Sequence, residues 1–280
     1  MSSSAPKKGH HNGAWLGSDI CDGHIEALRQ RRMLPPASVV AARVPIAENS
    51  PTPREGEVVV FDEYFYRGFG LLASNFFSNF LIFFGLQPHH LAPNAILQLA
   101  AYVVLCEGFL GIEPRLDLWQ KFFFFKEQSI KMDKAEAEKL TGPRPMTPCG
   151  VTLVHLRTSC GFPQMPLQNS IKLWQREFFY VKNVDPSHDG LNLPPFVIDP
   201  PTTRRNWKAL YPKPIVGVEQ ICAYLETMKT RGLLGRDLLT TMMTRRILPL
   251  HRRPHLICQL GGRHDPCRLS IKNFRAGAVA

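Results

Sequence analysis

Five residues near the end of the chain, His251, His255, Cys258, His264 and Cys267, follow one another as H-x3-H-x2-C-x5-H-x2-C. Imidazole nitrogen and thiolate sulfur are the donors zinc takes, so these residue types raise a metal site. The spacing is not that of the retroviral knuckle C-x2-C-x4-H-x4-C, and the stretch holds no C-x-x-C pair. Arg252 and Arg253 also stand between the ligands, where they would repel a cation. The five are therefore read as incidental, and neither a metal nor any other cofactor is expected.

A second chemistry to weigh is phosphodiester strand transfer, which needs three carboxylates to hold two metal ions. Glu107, Glu113, Asp117, Asp199 and Glu219 are candidates, but no spacing singles them out, and Glu107 and Asp117 more easily serve as polar helix-end residues beside Gly and Pro. Neither D-[ST]-G, nor Y-x-D-D, nor a phosphate-binding G-x-x-x-x-G-K-[ST] loop, nor a G-x-S-x-G elbow occurs. No residue is expected to be catalytic, and the chain is read as a non-enzyme. The competing classes are a transposase- or integrase-like enzyme and a regulatory binding module adopted by the host.

Charge is the stronger signal. Arg245, Arg246, Arg252, Arg253, Arg263, Arg268, Lys272 and Arg275 face only Asp265, so +7 of the formal +11 lies beyond Thr244. Such a segment neutralises phosphates and releases counterions, and Arg245, Arg246, Arg252, Arg253, Arg263, Arg268 and Lys272 are the candidate nucleic-acid contacts. The bland alternative is a solvated basic face. The expected partners are RNA or DNA, and a second copy of the chain through a Phe-rich surface. No membrane and no small-molecule substrate is expected. Seven scattered Cys and a polar start, MSSSAPKKGHH, suit an intracellular protein, cytoplasmic or nuclear.

The elements that would carry these residues divide the chain into six stretches. Residues 1–17 read as a flexible tail, and 18–130 as a Phe-rich helical core that holds 13 of the 18 Phe between Phe61 and Phe125. Its centre is Pro93 to Trp119, apolar on every side up to Leu105 except at Gln98, with Gly108 and Gly111 as stops and Pro114 opening the next helix. Before it, three helices are expected: one capped by Ser18, one over Phe61 to Phe69 entered through a short extended piece, and one over Asn75 to Phe84 between a Ser74 cap and Gly85.

Phe122 to Phe125 occupy every side of a helix, which implies either an element between two layers or an oligomer contact. Residues 131–149 form a charged helix and linker, and 150–214 a small β element with a Pro-rich strap. In that β element Val151 to Leu156 pairs antiparallel with Phe178 to Val184, over Trp174. Residues 215–250 read as a helical hairpin with Val218, Ile221, Cys222, Leu225 and Met228 on one stripe and Leu238, Leu239, Met242, Met243 and Ile247 on the other. Residues 251–280 are the basic tail. The fold class expected is mainly α, a helical core with a small antiparallel β element.

Several blocks stand in a telling order: PTPREGEVVVFDEYFYRGFG, NFLIFFGLQPHHLAPNAILQLAAYVVLCEGFLGIEPRLDLW, WQREFFYVKN, the text from Leu225 to Gly235, and RRILPLHRRPH. Together, over Ile20 to Ser270, the chain resembles the plant gypsy type transposon domain. That resemblance implies a Gag-like region encoded by a long-terminal-repeat retrotransposon, or a genomic remnant of one. It implies no reaction.

Overall fold

The computed structural model describes residues 15–71, 73–130, 134–150, 152–157, 161–167, 171–187, 190–210 and 217–244. The chain is a mixed α/β fold, not the mainly helical one expected, with 40% of the described residues in helical turns and 12% in strands. Runs of β-branched and aromatic residues cause the difference. EVVVF, FFFKE and FFYVKN each become a strand, because such side chains lose least freedom on a pleated, packed surface.

Two antiparallel sheets result. Strands β1 (Val40–Arg43), β5 (Phe178–Asn183) and β2 (Glu57–Phe61) form a sheet in the order β1-β5-β2, with Val59 opposite Tyr180 and Phe61 opposite Phe178. Strands β3 (Phe123–Glu127) and β4 (Thr152–Leu156) make a two-stranded sheet with Phe124 opposite His155. The expected pairing of Val151 to Leu156 with Phe178 to Val184 is thus overturned: both strands exist, with other partners. In β5 the four residues Phe178 to Val181 are all buried, so both faces are covered and the strand sits at the centre of its sheet. The ring run of Phe122 to Phe125 is resolved by strand alternation, with Phe123 and Phe125 in the interior and Phe124 on the outer face.

Helix α1 (Asp22–Gln30) is capped at Cys21, not at Ser18. The Ser18 hydroxyl instead bonds the carbonyls of Arg176 and Phe178, tying the entering chain to β5. The helix expected over Phe61 to Phe69 shrinks to α2 (Asp62–Phe65), since Phe61 ends β2 and Gly68 turns the chain at φ +88°. Helix α3 (Asn75–Phe84) has the expected ends: Ser74 Oγ accepts from the Phe77 amide at 3.2 Å, and Gly85 is left-handed at φ +64°.

The central helix α4 (Pro93–Val104) starts with Pro93 in its first turn and is buried from Ala95 through Val104. It continues as a π-helical turn over Leu105–Leu110, closed by left-handed Gly111. Pro93–Leu110 is long and apolar enough to cross a membrane, but 78% of it is buried inside the protein, as for a core helix. The phenol of Tyr102 accepts from the Arg115 amide at 3.1 Å and donates to the Arg115 carbonyl at 2.6 Å, which fixes the start of α5 (Leu116–Phe122). Short helix α6 (Lys134–Glu138) lies in the charged stretch.

Residues 190–210 are the strap, irregular except for a 3-10 turn over Arg205–Trp207. It runs along α3. The Leu191 carbonyl accepts from Ala73, the Asn206 amide donates to Phe83 O at 2.6 Å, and the Trp207 indole donates to Phe84 O at 2.7 Å. Helices α7 (Val218–Thr230) and α8 (Gly235–Met242) bury Val218 and Leu225, and Leu238 and Met242. Of the expected stripes, Met243 is 42% exposed and Ile247 lies outside the described residues. Helix α8 reaches the centre through Met242, whose Sδ sits beside Gly68 and Ala100 of α4.

Candidate functional site

All the residues singled out for binding in the basic tail, Arg245, Arg246, Arg252, Arg253, Arg263, Arg268 and Lys272, lie outside the described residues, as do His251, His255, Cys258, His264 and Cys267. Among the described residues, no group of three or more His, Cys, Asp or Glu is placed to hold a metal ion. The candidate acids serve local roles. Asp117 pairs with Arg115 and accepts from the Leu118 amide at 2.7 Å, and Glu107 is buried in the π turn. Glu113 and Glu219 are exposed, and the Asp199 backbone carbonyl meets His90.

Three arrangements that sequence spacing does not announce appear once the chain folds. The first is a buried histidine pair on the 3-10 turn Pro88–His90, after α3. His89 is 1% exposed, packed between Trp15 at 5.4 Å and Phe196 of the strap at 4.9 Å, and burial followed by the neighbouring His90 holds it well below the ordinary imidazole range. His90 Nδ1 accepts from the Gln87 amide at 3.0 Å, which assigns the proton to Nε2 and lets it donate to Asp199 O at 3.2 Å. Burial lowers His90 to about 4, so both rings are neutral at physiological pH. The pair pins the strap to the core and is sealed from solvent.

The second is a carboxylate cluster where residues 15–21 cross the start of β5. Burial, then Glu63, Asp62 and Asp19, raise Glu177 to about 7, and its Oε2 finds no hydrogen-bond partner among the described residues. Asp62 is raised as well, first by burial, with Glu63 adding and His24 and Arg31 opposing. Arg176 pairs with Asp19 at 2.6 Å and Arg67 with Glu63 at 3.3 Å, so the cluster is half compensated.

The third is a basic and aromatic group on the outer face of the β3–β4 sheet. Phe124 lies against His155 with centroids 5.5 Å apart and the rings tilted by 34°, and the Arg157 guanidinium lies 5.4 Å over the Phe124 ring. Arg157 donates to the carbonyls of Gln120, Phe123 and Lys208, at 2.8, 3.2 and 2.7 Å, which draws the strap against this sheet. Phe124 and Lys208 are 84 positions apart in sequence, so local patterns do not reveal the group. The one signal is the alternation of Phe124 with Lys126 and of His155 with Arg157 on paired strands.

In comparison with known proteins, residues 58–127 fit the model of a family described as "Putative gypsy type transposon". No curated protein and no solved structure matches the chain. The matched stretch runs from β2 through α3, α4 and α5 to the end of β3, which is the aromatic centre of the fold. Residues 58–127 are therefore similar to a transposon-related domain, and they contain the central helix.

Proposed function

We propose that the protein is a non-catalytic, Gag-like structural or interaction module derived from a plant retrotransposon, which contacts nucleic acid through its basic C-terminal segment. The observation that carries this reading is the chemistry of the matched stretch. Four of its buried ionisable groups, Tyr64, His89, Tyr102 and Cys106, are held in their neutral forms by burial. Groups held neutral within ring-packed surroundings suit a scaffold, whereas phosphoryl transfer needs solvent-reachable carboxylates around metal ions. The cationic excess beyond Thr244 supplies the means of meeting phosphates.

The test compares the full chain with one ending at Thr244 in binding to labelled RNA and DNA, and assays both for metal-dependent strand transfer. The shortened chain should lose most of its affinity, and neither chain should join strands. Unchanged binding would remove the tail's role. Metal-dependent joining would replace this reading with a transposition enzyme.

A further inference from the structure

We propose that the outer face of the β3–β4 sheet, with the Arg205–Trp207 turn of the strap, is a contact surface for single-stranded nucleic acid. This rests on the nucleic-acid part of the reading above but places a contact in the body of the protein, independent of the tail.

The argument begins with charge. Lys7, Lys8 and the +7 beyond Thr244 leave a net charge of only +2 for residues 15–244. Within that nearly neutral body, cations lie on the β3–β4 sheet and along the strap that returns to it. Lys126 is exposed on the outer face of β3 and makes no ion pair among the described residues. Lys208 is 65% exposed at the end of the strap turn, and Arg204 and Arg205 are exposed just before it. Arg157 adds a fixed positive charge between the sheet and the strap. Glu127 is the carboxylate that meets these cations among the described residues, at 3.4 Å from Lys208 Nζ.

The rings decide the class of polyanion. Phe124 and His155 lie side by side at an interplanar angle of 34° on an outward sheet face, flanked by Lys126 and Arg157. Burial and Lys126 keep His155 below the ordinary imidazole range, so it presents a neutral ring there. A tilted pair of rings bordered by cations fits an unpaired base with its phosphates, because every base offers a π face and the contact is tolerant of sequence. An acidic peptide would use the cations and leave the rings idle. In a duplex the bases are stacked on each other and do not reach the rings.

The test uses the full chain and fluorescence anisotropy with labelled oligo-U and oligo-dT over a salt series. Lys126→Gln with Lys208→Gln should weaken binding several-fold and flatten the log-log salt slope by about 1.4, from roughly 0.7 per single-strand phosphate contact. Phe124→Leu should weaken binding at least about five-fold with the slope unchanged, since lost stacking releases no counterions. Phe124→Tyr should bind like the parent. Lys229→Gln, which disturbs only the Glu226 pair on α7, should also bind like the parent.

Parent-like binding by both Phe124→Leu and the double Lys variant would overturn the inference. So would competition by polyglutamate or duplex DNA as effective as that by oligo-U. If Arg252→Ser with Arg253→Ser weakens binding while the sheet variants do not, the tail reading survives and this one falls. The reverse pattern keeps this surface and removes the tail, and no binding at all by the parent overturns both.

Discussion

Trp207 gives the sharpest perturbation of the fold. Its indole is 1% exposed, meets Phe125 at 5.9 Å and donates to the Phe84 carbonyl at 2.7 Å, so one strap residue fills the core and closes the end of α3. Trp207→Ala removes a buried aromatic and leaves a cavity, which typically costs 3–5 kcal/mol, so about 4 kcal/mol is expected. That is a large share of a total stability of roughly 5–15 kcal/mol. Trp207→Phe keeps most of the ring but removes the donor, and a buried carbonyl left unmatched costs about 1–3 kcal/mol. Urea unfolding followed by far-ultraviolet circular dichroism measures both, with a midpoint that should fall by about 1–2 M for the Ala variant. An Ala variant within about 1 kcal/mol of the parent would refute the claim that the strap belongs to the core.

Other substitutions probe the remaining contacts. A Cβ at Gly68 would stand 2.9 Å from Ala100 Cβ and 3.1 Å from Met242 Sδ, whereas one at Gly190 meets open space at a similar positive φ. Gly68→Ala should therefore lower the melting temperature well beyond Gly190→Ala, and equal losses would show that α8 does not press on α4 there. Ser74→Ala should cost about 1 kcal/mol in chemical denaturation by removing the α3 cap; no loss would show the cap to be idle.

Two carboxyl groups give opposite pH responses. Burial works to raise Glu48, but bonds from Thr52, Tyr180 and Arg43 outweigh it and hold the group at about 2. Its folded value is depressed, so its contribution is present above about 4.5 and is lost as pH falls toward 2; Glu48→Gln should remove that acid-sensitive part of the melting profile. Glu177 is raised to about 7, so its contribution is full below about 4.5 and declines as pH rises through 7. Glu177→Gln should gain stability relative to the parent at pH 8 and not at pH 4, and a gain independent of pH would rule out relief of charge.

Local physics made the helices readable and left the sheet partners obscure. Ser74, Gly85, Pro93 and Gly111 act within a turn of their own positions, so the ends of α3 and the course of the central helix follow from neighbouring residues. Ser18 has the chemistry of a cap, but its hydroxyl is drawn to carbonyls 158 and 160 positions away, which no window of sequence contains. The same holds for β5, whose partners β1 and β2 lie more than a hundred positions upstream. Helical spacing of Phe61, Tyr64, Phe65 and Phe69 competed with the extended preference of Val58 to Phe61, and the strand won as far as Phe61 because β5 offers it a full ladder. The outer group of Phe124, Lys126, His155, Arg157 and Lys208 was hidden for a related reason: it depends on the β3–β4 register and on where the strap returns.

The transposon-related stretch begins in a strand whose ladder is made with residues 178–182, and its interior is completed by an indole at position 207. Excised at the boundaries of residues 58–127, it would present a bare sheet edge and an unfilled aromatic hollow, the conditions under which chains aggregate. During synthesis the same geometry imposes a delay: the first half emerges from the ribosome well before the pieces that close it. The shortest piece able to stand by itself should therefore extend from the N-terminal strand through the indole, far past the limits that kinship alone would draw.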